Sequence, residues 1–451
     1  MEILKKPGGI LAVGAAAFLL WMFAVGGTAA QEAAPPPSAP AAAAPKVDTG
    51  DTAWVLTSSA LVLAMTMPGL ALFYGGLVRN KNVLGTIMHS FVILCLVSVI
   101  WVLWGYSLAF GPDVGGVTGS LGWFGLRGVG GEPHPTYGST IPHQVYMLFQ
   151  LMFAAITPAL VTGAFAERMR FSALLVFTAL WSTFIYCPLA HWIWGGGWLA
   201  KMGALDFAGG AVVHMSSGWA ALACALVLGK RKGYGTAYLA PHNLPMTLLG
   251  AGLLWFGWFG FNAGSALGAN ALAASAFLAT NTAAAMGALS WMATEWLHRG
   301  KPTTLGVASG AIAGLATVTP AAGFVGLVAA ILIGLAAGAV CYTAVVWKGR
   351  FGYDDSLDVV GIHGVGGAMG IFATGLFASK AINSAGADGL FFGNPGQLIV
   401  QLTTIGVSVV FALVGTFIIL KLIDWTIGLR VDAEDEERGL DLSQHEERAY
   451  S

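Results

Sequence analysis

Eleven largely apolar stretches follow one another along the chain: 52–78, 85–110, 143–166, 171–192, 206–229, 243–263, 270–297, 303–319, 321–347, 357–378 and 395–424. A helix of ~20 apolar residues crosses the ~30 Å hydrocarbon core of a bilayer, and longer ones can tilt. The shortest stretch, 303–319, is rich in Gly and Ala. The succession predicts an all-α integral membrane protein with eleven transmembrane helices. Only 10% of the residues are charged, against roughly 25% in a soluble domain. A mean hydropathy of +0.74 over 451 residues cannot come from one anchor.

Positive charge fixes the expected orientation. Loops after odd-numbered spans hold Arg79, Lys81, Arg168, Arg170, Lys230, Arg231, Lys232, Arg299, Lys301, Lys348 and Arg350. Loops after even-numbered spans hold only Arg127, Lys201 and Lys380. Eleven against three is a positive-inside bias that puts the mature N-terminus outside and the C-terminus in the cytoplasm. A multi-pass protein of the inner (plasma) membrane is expected.

The ends read differently. Lys5 and Lys6, the apolar run 10–25 and the small residues closing at Ala30 predict a signal peptide over 1–30. Residues 31–50 are a Pro/Ala-rich linker, 51–429 the membrane domain and 430–451 a cytoplasmic tail. Asp432, Glu434, Asp435, Glu436 and Glu437 cluster in that tail, and composition alone favours a solvated segment. Cys95, Cys187, Cys224 and Cys341 lie in apolar stretches without a CxxC pair, so they read as small buried hydrophobes rather than zinc or disulfide partners. No basic, aromatic-interleaved patch points to nucleic acid.

Two histidines lie deep in apolar spans. His214 follows Ala-Gly-Gly-Ala-Val-Val, and His363 stands in Val-Val-Gly-Ile-His-Gly-Val-Gly-Gly. An intramembrane ionisable ring faces a cavity or a partner, and the adjacent glycines let helices approach closely. A path for a small solute, a metal or haem site, and a helix-to-helix hydrogen bond all satisfy these residues. Each histidine falls in the last span of a five-span half, and an odd number of spans per repeat forces inverted topology. Leu205-Asp206 precedes His214 by eight residues, and Leu357-Asp358 precedes His363 by five. The expected architecture is an inverted 5+5 repeat plus a C-terminal helix. His89 and His191 lie near span ends and read as interfacial. His143 opens the third span, and His134, His242, His298 and His445 fall in loops or the tail.

Six segments in order resemble the ammonium transporters, the bacterial Amt branch of the Amt/Mep/Rh superfamily. They are Phe-Ala-Ala-Ile-Thr-Pro-Ala-Leu (153–160), Ala-Phe-Ala-Glu-Arg-Met-Arg-Phe (164–171) and Pro-Leu-Ala-His-Trp-Ile-Trp-Gly-Gly-Gly (188–197). Ala-Leu-Asp-Phe-Ala-Gly-Gly (204–210), Trp-Phe-Gly-Phe-Asn-Ala-Gly-Ser (258–265) and Asp-Asp-Ser-Leu-Asp-Val-Val-Gly-Ile-His-Gly-Val-Gly-Gly (354–367) complete the set. The likeness runs from about Asp51 to Gly-Leu-Arg-Val-Asp (428–432).

The resemblance implies a homotrimer with one pore per protomer, no enzymatic activity and no cofactor. It makes Trp194, Phe153, Ser265 and Asp206 an outer ammonium site, Phe153 and Phe261 a stacked gate, and His214 and His363 a pore pair that relays protons or lines the path of NH3. An aromatic face attracts a cation, a serine oxygen accepts a hydrogen bond from ammonium, and Asp206 favours cation entry without contact. A cytoplasmic PII-type signalling protein is the implied partner, docking on the cytoplasmic loops and tail. Two other classes fit some residues: a sensor, for which the tail is too short to hold a kinase-like domain, and a bis-histidine haem protein ligated by His214 and His363.

Overall fold

A computed structural model describes residues 46–450; the expected signal peptide and most of the linker lie outside the described residues. Helix α1 (Thr49–Leu77) starts inside the span assigned to the linker, because Asp48 caps it by accepting the Asp51 N–H at 2.9 Å. There follow α2 (Val83–Phe110), α3 (His143–Phe165), α4 (Phe171–Met202), α5 (Gly210–Leu228), α6 (Leu244–Gly264) and α7 (Ala271–Arg299). Then come α8 (Thr304–Val318), α9 (Leu327–Phe351), α10 (Val360–Phe377) and α11 (Pro395–Thr426). Among the described residues ten of these are long and apolar enough to cross a membrane.

Helix α8, with 15 residues, is the exception. At 1.5 Å per residue it reaches roughly 22 Å, short of the ~30 Å core. The chain continues through turns at 319–325, where Pro320, Ala321, Ala322 and Val325 are fully buried. Irregular backbone at such depth is tolerated when protein surrounds it. Its polar groups are met: Phe207 N–H donates to Pro320 O at 3.1 Å and Ser379 N–H to Phe324 O at 2.9 Å.

Helix α3 is buried along nearly its whole length and forms the centre, while α11 lies at the edge. Helix α6 packs on α1, α7 on α8 and α9, and α5 on α3, α10 and α11. Small residues make the α7 contacts. A Cβ on Gly310 would stand 2.4 Å from the Trp291 side chain, and one on Gly338 would stand 2.5 Å from Gly287 O.

The all-α expectation holds for the helical body but not for the connection between α2 and α3. There β1 (Asp113–Val114) pairs with β2 (Thr118–Gly119), and β3 (Pro133–His134) with β4 (Gly138–Pro142). The first hairpin turns on Gly116 at φ +77°, whose N–H donates to Asp113 Oδ1 at 2.8 Å.

The tail is not the solvated segment its composition favours. Short helices α12 (Ala433–Arg438) and α13 (Leu440–His445) pack across one end of the bundle, burying Glu436, Leu440 and Asp441. Arg430 bonds Glu436 at 2.7 Å and the carbonyls of Leu228 and Lys230. Asp441 accepts the N–H groups of Leu84 (3.1 Å) and Gly85 (2.8 Å) at the start of α2. The acidic cluster is held by backbone donors and cations far away in the chain, which composition cannot register. Beneath it Glu167, Arg79, Arg231 and Asp354 form a buried network, with Arg231 bidentate on Asp354 at 2.9 Å. Burial works to raise the Glu167 and Asp354 carboxyls, but the arginines outweigh it and hold both below the usual range.

Candidate functional site

Helices α5 and α10 are built alike. Each opens with a π-helical turn, Gly210–Met215 and Val360–Val365, and each turn carries its histidine. The helices cross at glycine: a Cβ on Gly218 would lie 2.1 Å from Gly364 N. This approach brings His214 Nδ1 within 3.1 Å of His363 Nδ1, with rings stacked at 24° and centroids 5.1 Å apart. Such a bond needs one ring to donate and the other to accept, so the pair presents one Nε2 lone pair and one Nε2–H. His214 Nε2 is buried with no hydrogen-bond partner among the described residues.

A carboxylate stands before each histidine helix. Asp206 accepts N–H groups from Gly209 (2.8 Å), Gly210 (2.6 Å), Ala211 (2.8 Å) and Val212 (3.2 Å). It therefore caps α5 as its place in the sequence predicts. In the second half the capping residue is Asp355, whose Oδ2 accepts the Val360 N–H at 2.8 Å. Sequence reading paired Asp206 with Asp358 instead. The missed signal was spacing, because Asp355 precedes His363 by eight residues, as Asp206 precedes His214.

Side chains from α3, α4 and α6, with Asp206 before α5 and Ser265 after α6, converge above the histidines. Phe153 of α3 stacks on Phe261 of α6 at 4.2 Å between centroids. Trp194, at the end of the α4 hydrophobic run, meets Phe153 edge-on at 5.8 Å, and its indole N–H donates to Asp206 O at 2.8 Å. Ser265 donates its hydroxyl proton to Phe261 O at 2.8 Å, which leaves its oxygen lone pairs as acceptors. Trp194, Phe153, Asp206, Ser265, Tyr146 and Gln150 line a cavity of about 280 Å³. Below the stacked rings lies a second, narrow cavity of about 10 Å³, walled by Phe261, Trp258, Tyr74, Leu160, His214 and His363. Phe261 walls the narrow cavity while its stacking partner Phe153 lines the wider one, and the Phe261 ring centroid lies 6.0 Å from that of His214.

The seven residues that the resemblance singled out thus each line one of these two cavities. The bis-histidine haem arrangement does not fit, because the two rings bond each other and the space beside them is too small for a macrocycle. Among the described residues no three His, Cys, Asp or Glu side chains gather as a metal site.

Three smaller expectations change. His89 and His191 are buried rather than interfacial. His298 lies in the last turn of α7, not in a loop, and bonds Tyr342 Oη at 2.7 Å. Cys95 is exposed on the helical surface, whereas the other three cysteines are buried.

The family model described as the Ammonium Transporter Family matches residues 53–450. The chain belongs to the ammonium transporter family. It is 54% identical over 402 residues to the ammonium transporter of Bacillus subtilis, covering 89% of this chain and 98% of that one. With the ammonium transporter Amt1 of Archaeoglobus fulgidus it shares 50% identity over 89% of this chain and 99% of that protein. Among solved ammonium transporter structures, Mep2 of Saccharomyces cerevisiae superposes with a TM-score of 0.81 at 39% identity, over 86% of this chain and 89% of that one. A sensor Amt protein matches with the same TM-score, 0.81, at 28% identity over 88% and 98% of the two chains.

Proposed function

We propose that this protein captures ammonium at Trp194, strips its proton near the Phe153–Phe261 stack, and passes NH3 along the His214–His363 pair. The observation that carries this reading is the line of groups itself. A polar cavity of about 280 Å³ narrows at two stacked phenylalanines to about 10 Å³ beside two bonded imidazoles. Apolar rings at a constriction are a poor path for a bare ion. Trp194 offers a π face to a cation, Ser265 an acceptor, and the carboxylate of Asp206 negative charge fixed behind the site. The histidine pair offers a lone pair and an N–H to an uncharged guest, and a route by which a proton follows separately.

Eleven spans, with Trp194 outside and the tail in the cytoplasm, belong to the same proposal. In its support, Arg79 and Arg231 share Glu167, Arg168 and Arg231 share Asp354, and the next residue, Lys232, bonds Glu436 and Glu437 of the tail, while Lys201 bonds Asp113. A cleaved signal peptide, a plasma-membrane homotrimer and a PII-type partner on the tail face complete it. The matching architecture of α5 and α10 supports the inverted repeat.

Purified protein in liposomes tests the mechanism by solid-supported-membrane electrophysiology with an internal pH dye. A current that saturates with ammonium and is absent with sodium is expected. Replacing both histidines (His214→Ala with His363→Ala) should abolish that current; an undiminished current in the double variant rules the pair out as proton route. Trp194→Leu should raise the half-saturating ammonium concentration roughly tenfold, the size of a lost cation–π contact.

A further inference from the structure

The end of the tail turns back on itself. Helix α13 stops at His445, and Glu446 takes a left-handed φ of +55°, a conformation that a residue with a Cβ seldom adopts. Its N–H donates to Leu442 O at 3.2 Å, and the Glu447 N–H to Asp441 O at 3.1 Å. The reversal returns residues 447–450 to α13. Tyr450 is tied down at its hydroxyl, which lies 3.0 Å from His242 Nε2.

Between this returning segment, the two tail helices and the turn that joins α1 to α2 lies a cavity of about 220 Å³. Lys81, Arg438, Asp441, Glu447, Arg448 and Tyr450 wall it, and no residue of a span does. Asp441 spends both oxygens on the Leu84 and Gly85 N–H groups. Arg438, Arg448 and Glu447 stand outside every ion pair among the described residues. Lys81 is held from behind: a Cβ on Gly439 would stand 2.6 Å from Lys81 Cβ, and the Asp441 N–H donates to Lys81 O at 3.2 Å. Partial burial and the neighbouring Arg79 hold the Lys81 ammonium below its ordinary value, against the pull of Glu167, Glu437 and Glu436. An anion in the cavity would offset the repulsion from Arg79.

Three cations thus face one carboxylate that is free to repel. Guanidinium forks match phosphate oxygens two at a time, and an ammonium adds a point charge. At about 30 Å³ per water, the space takes the five heavy atoms of a phosphate and part of the group that carries it.

We propose that this cavity is a binding site for a phosphate group, held by Arg438, Arg448 and Lys81, and that the bound anion fastens the end of the tail to the α1–α2 turn. A wall without span residues favours a soluble phosphate compound over a lipid headgroup. The site stands apart from the ammonium path, and its test does not depend on transport.

Isothermal titration calorimetry of the full chain in detergent tests it, with sodium phosphate against sodium chloride of equal ionic strength. Saturable heat with phosphate and none with chloride is expected. Arg438→Gln with Arg448→Gln should weaken phosphate binding at least tenfold, roughly the size of one lost charged hydrogen bond. Glu447→Gln removes the repelling carboxylate and should tighten binding several-fold. A tail that merely undocks in the variants does not give opposite displacements. Phosphate should also slow trypsin cleavage at Arg438 and Arg448 several-fold in the wild type. Titration with phosphatidic acid dispersed in the same detergent, against phosphatidylcholine, separates the sources. Binding of inorganic phosphate marks a soluble ligand; binding of phosphatidic acid alone, lost in the double variant, marks a headgroup. No saturable binding of either, or one affinity shared by all three proteins, overturns the proposal. Circular dichroism and size exclusion check that the variants are folded.

Discussion

The Asp355 carboxyl is buried with its Oδ1 unpartnered among the described residues, while its Oδ2 caps α10. Burial pushes it up to about 6, against the pull of Lys348. An unfolded aspartate titrates near 3.9. The folded chain thus prefers the neutral acid: this preference stabilises it fully below about pH 4 and is lost as pH rises through about 6. Asp355→Asn keeps the acceptor for the Val360 N–H and removes the ionisation. The variant should therefore melt higher than the wild type near pH 8, by at most about 3 kcal/mol, and lose that advantage near pH 4. An equal gain at both pH values would place the effect elsewhere. At this scale the sequence was legible where a residue is out of place. Two histidines in apolar spans announce themselves. Asp355 did not, because a nearer Leu-Asp pair drew the alignment, and His191 did not, because a position near a span end says nothing about burial.

Helix crossings decide whether the two imidazoles meet. Gly218 and Gly364 leave no room for a side chain where α5 passes α10. Gly218→Ala would force the helices apart, and overpacking of this kind costs roughly 1–3 kcal/mol. Gly252 of α6 is the control, since a Cβ there meets nothing within 4 Å. Gly252→Ala should melt no lower than the wild type, because alanine is the better helix former. Gly218→Ala should melt lower and carry less ammonium current. Equal melting of the two variants would mean that the crossing tolerates a methyl group. The helices themselves were legible from apolar runs and the charges between them, since lipid leaves the backbone few alternatives. The hairpins between α2 and α3 were not, because three of their four strands have two residues and the fourth, Gly-Ser-Thr-Ile-Pro, carries a single large apolar side chain besides its proline, which leaves no alternation to read. Nor was the start of α9, at Leu327 rather than 321, because the turns before it are apolar enough to pass for helix.

At the scale of the molecule, contacts distant in sequence join the tail to the bundle. Glu436 is buried between Arg430 and the Lys232 N–H, which donates to it at 2.6 Å. Glu436→Gln keeps the shape but removes the charge opposite Arg430. Limited trypsin digestion should then cut at Lys232 and Arg438 several-fold faster than in the wild type, while the helical content by circular dichroism stays the same. Unchanged cleavage would show that Asp441 and Leu440 hold the tail without Glu436. Most of this was not legible, because charge patterning counts neighbours in sequence: Arg430 lies six residues from Glu436, but Lys232 and the Leu228 carbonyl that Arg430 also holds lie about 200 residues from their partners.

The Asp441 bond to the first turn of α2 also orders events in time. The ribosome makes α2 early and Asp441 near the end, so two amides of a helix already in the bilayer wait for their acceptor through most of translation. Closure of that end reports that every intervening helix has been threaded in place.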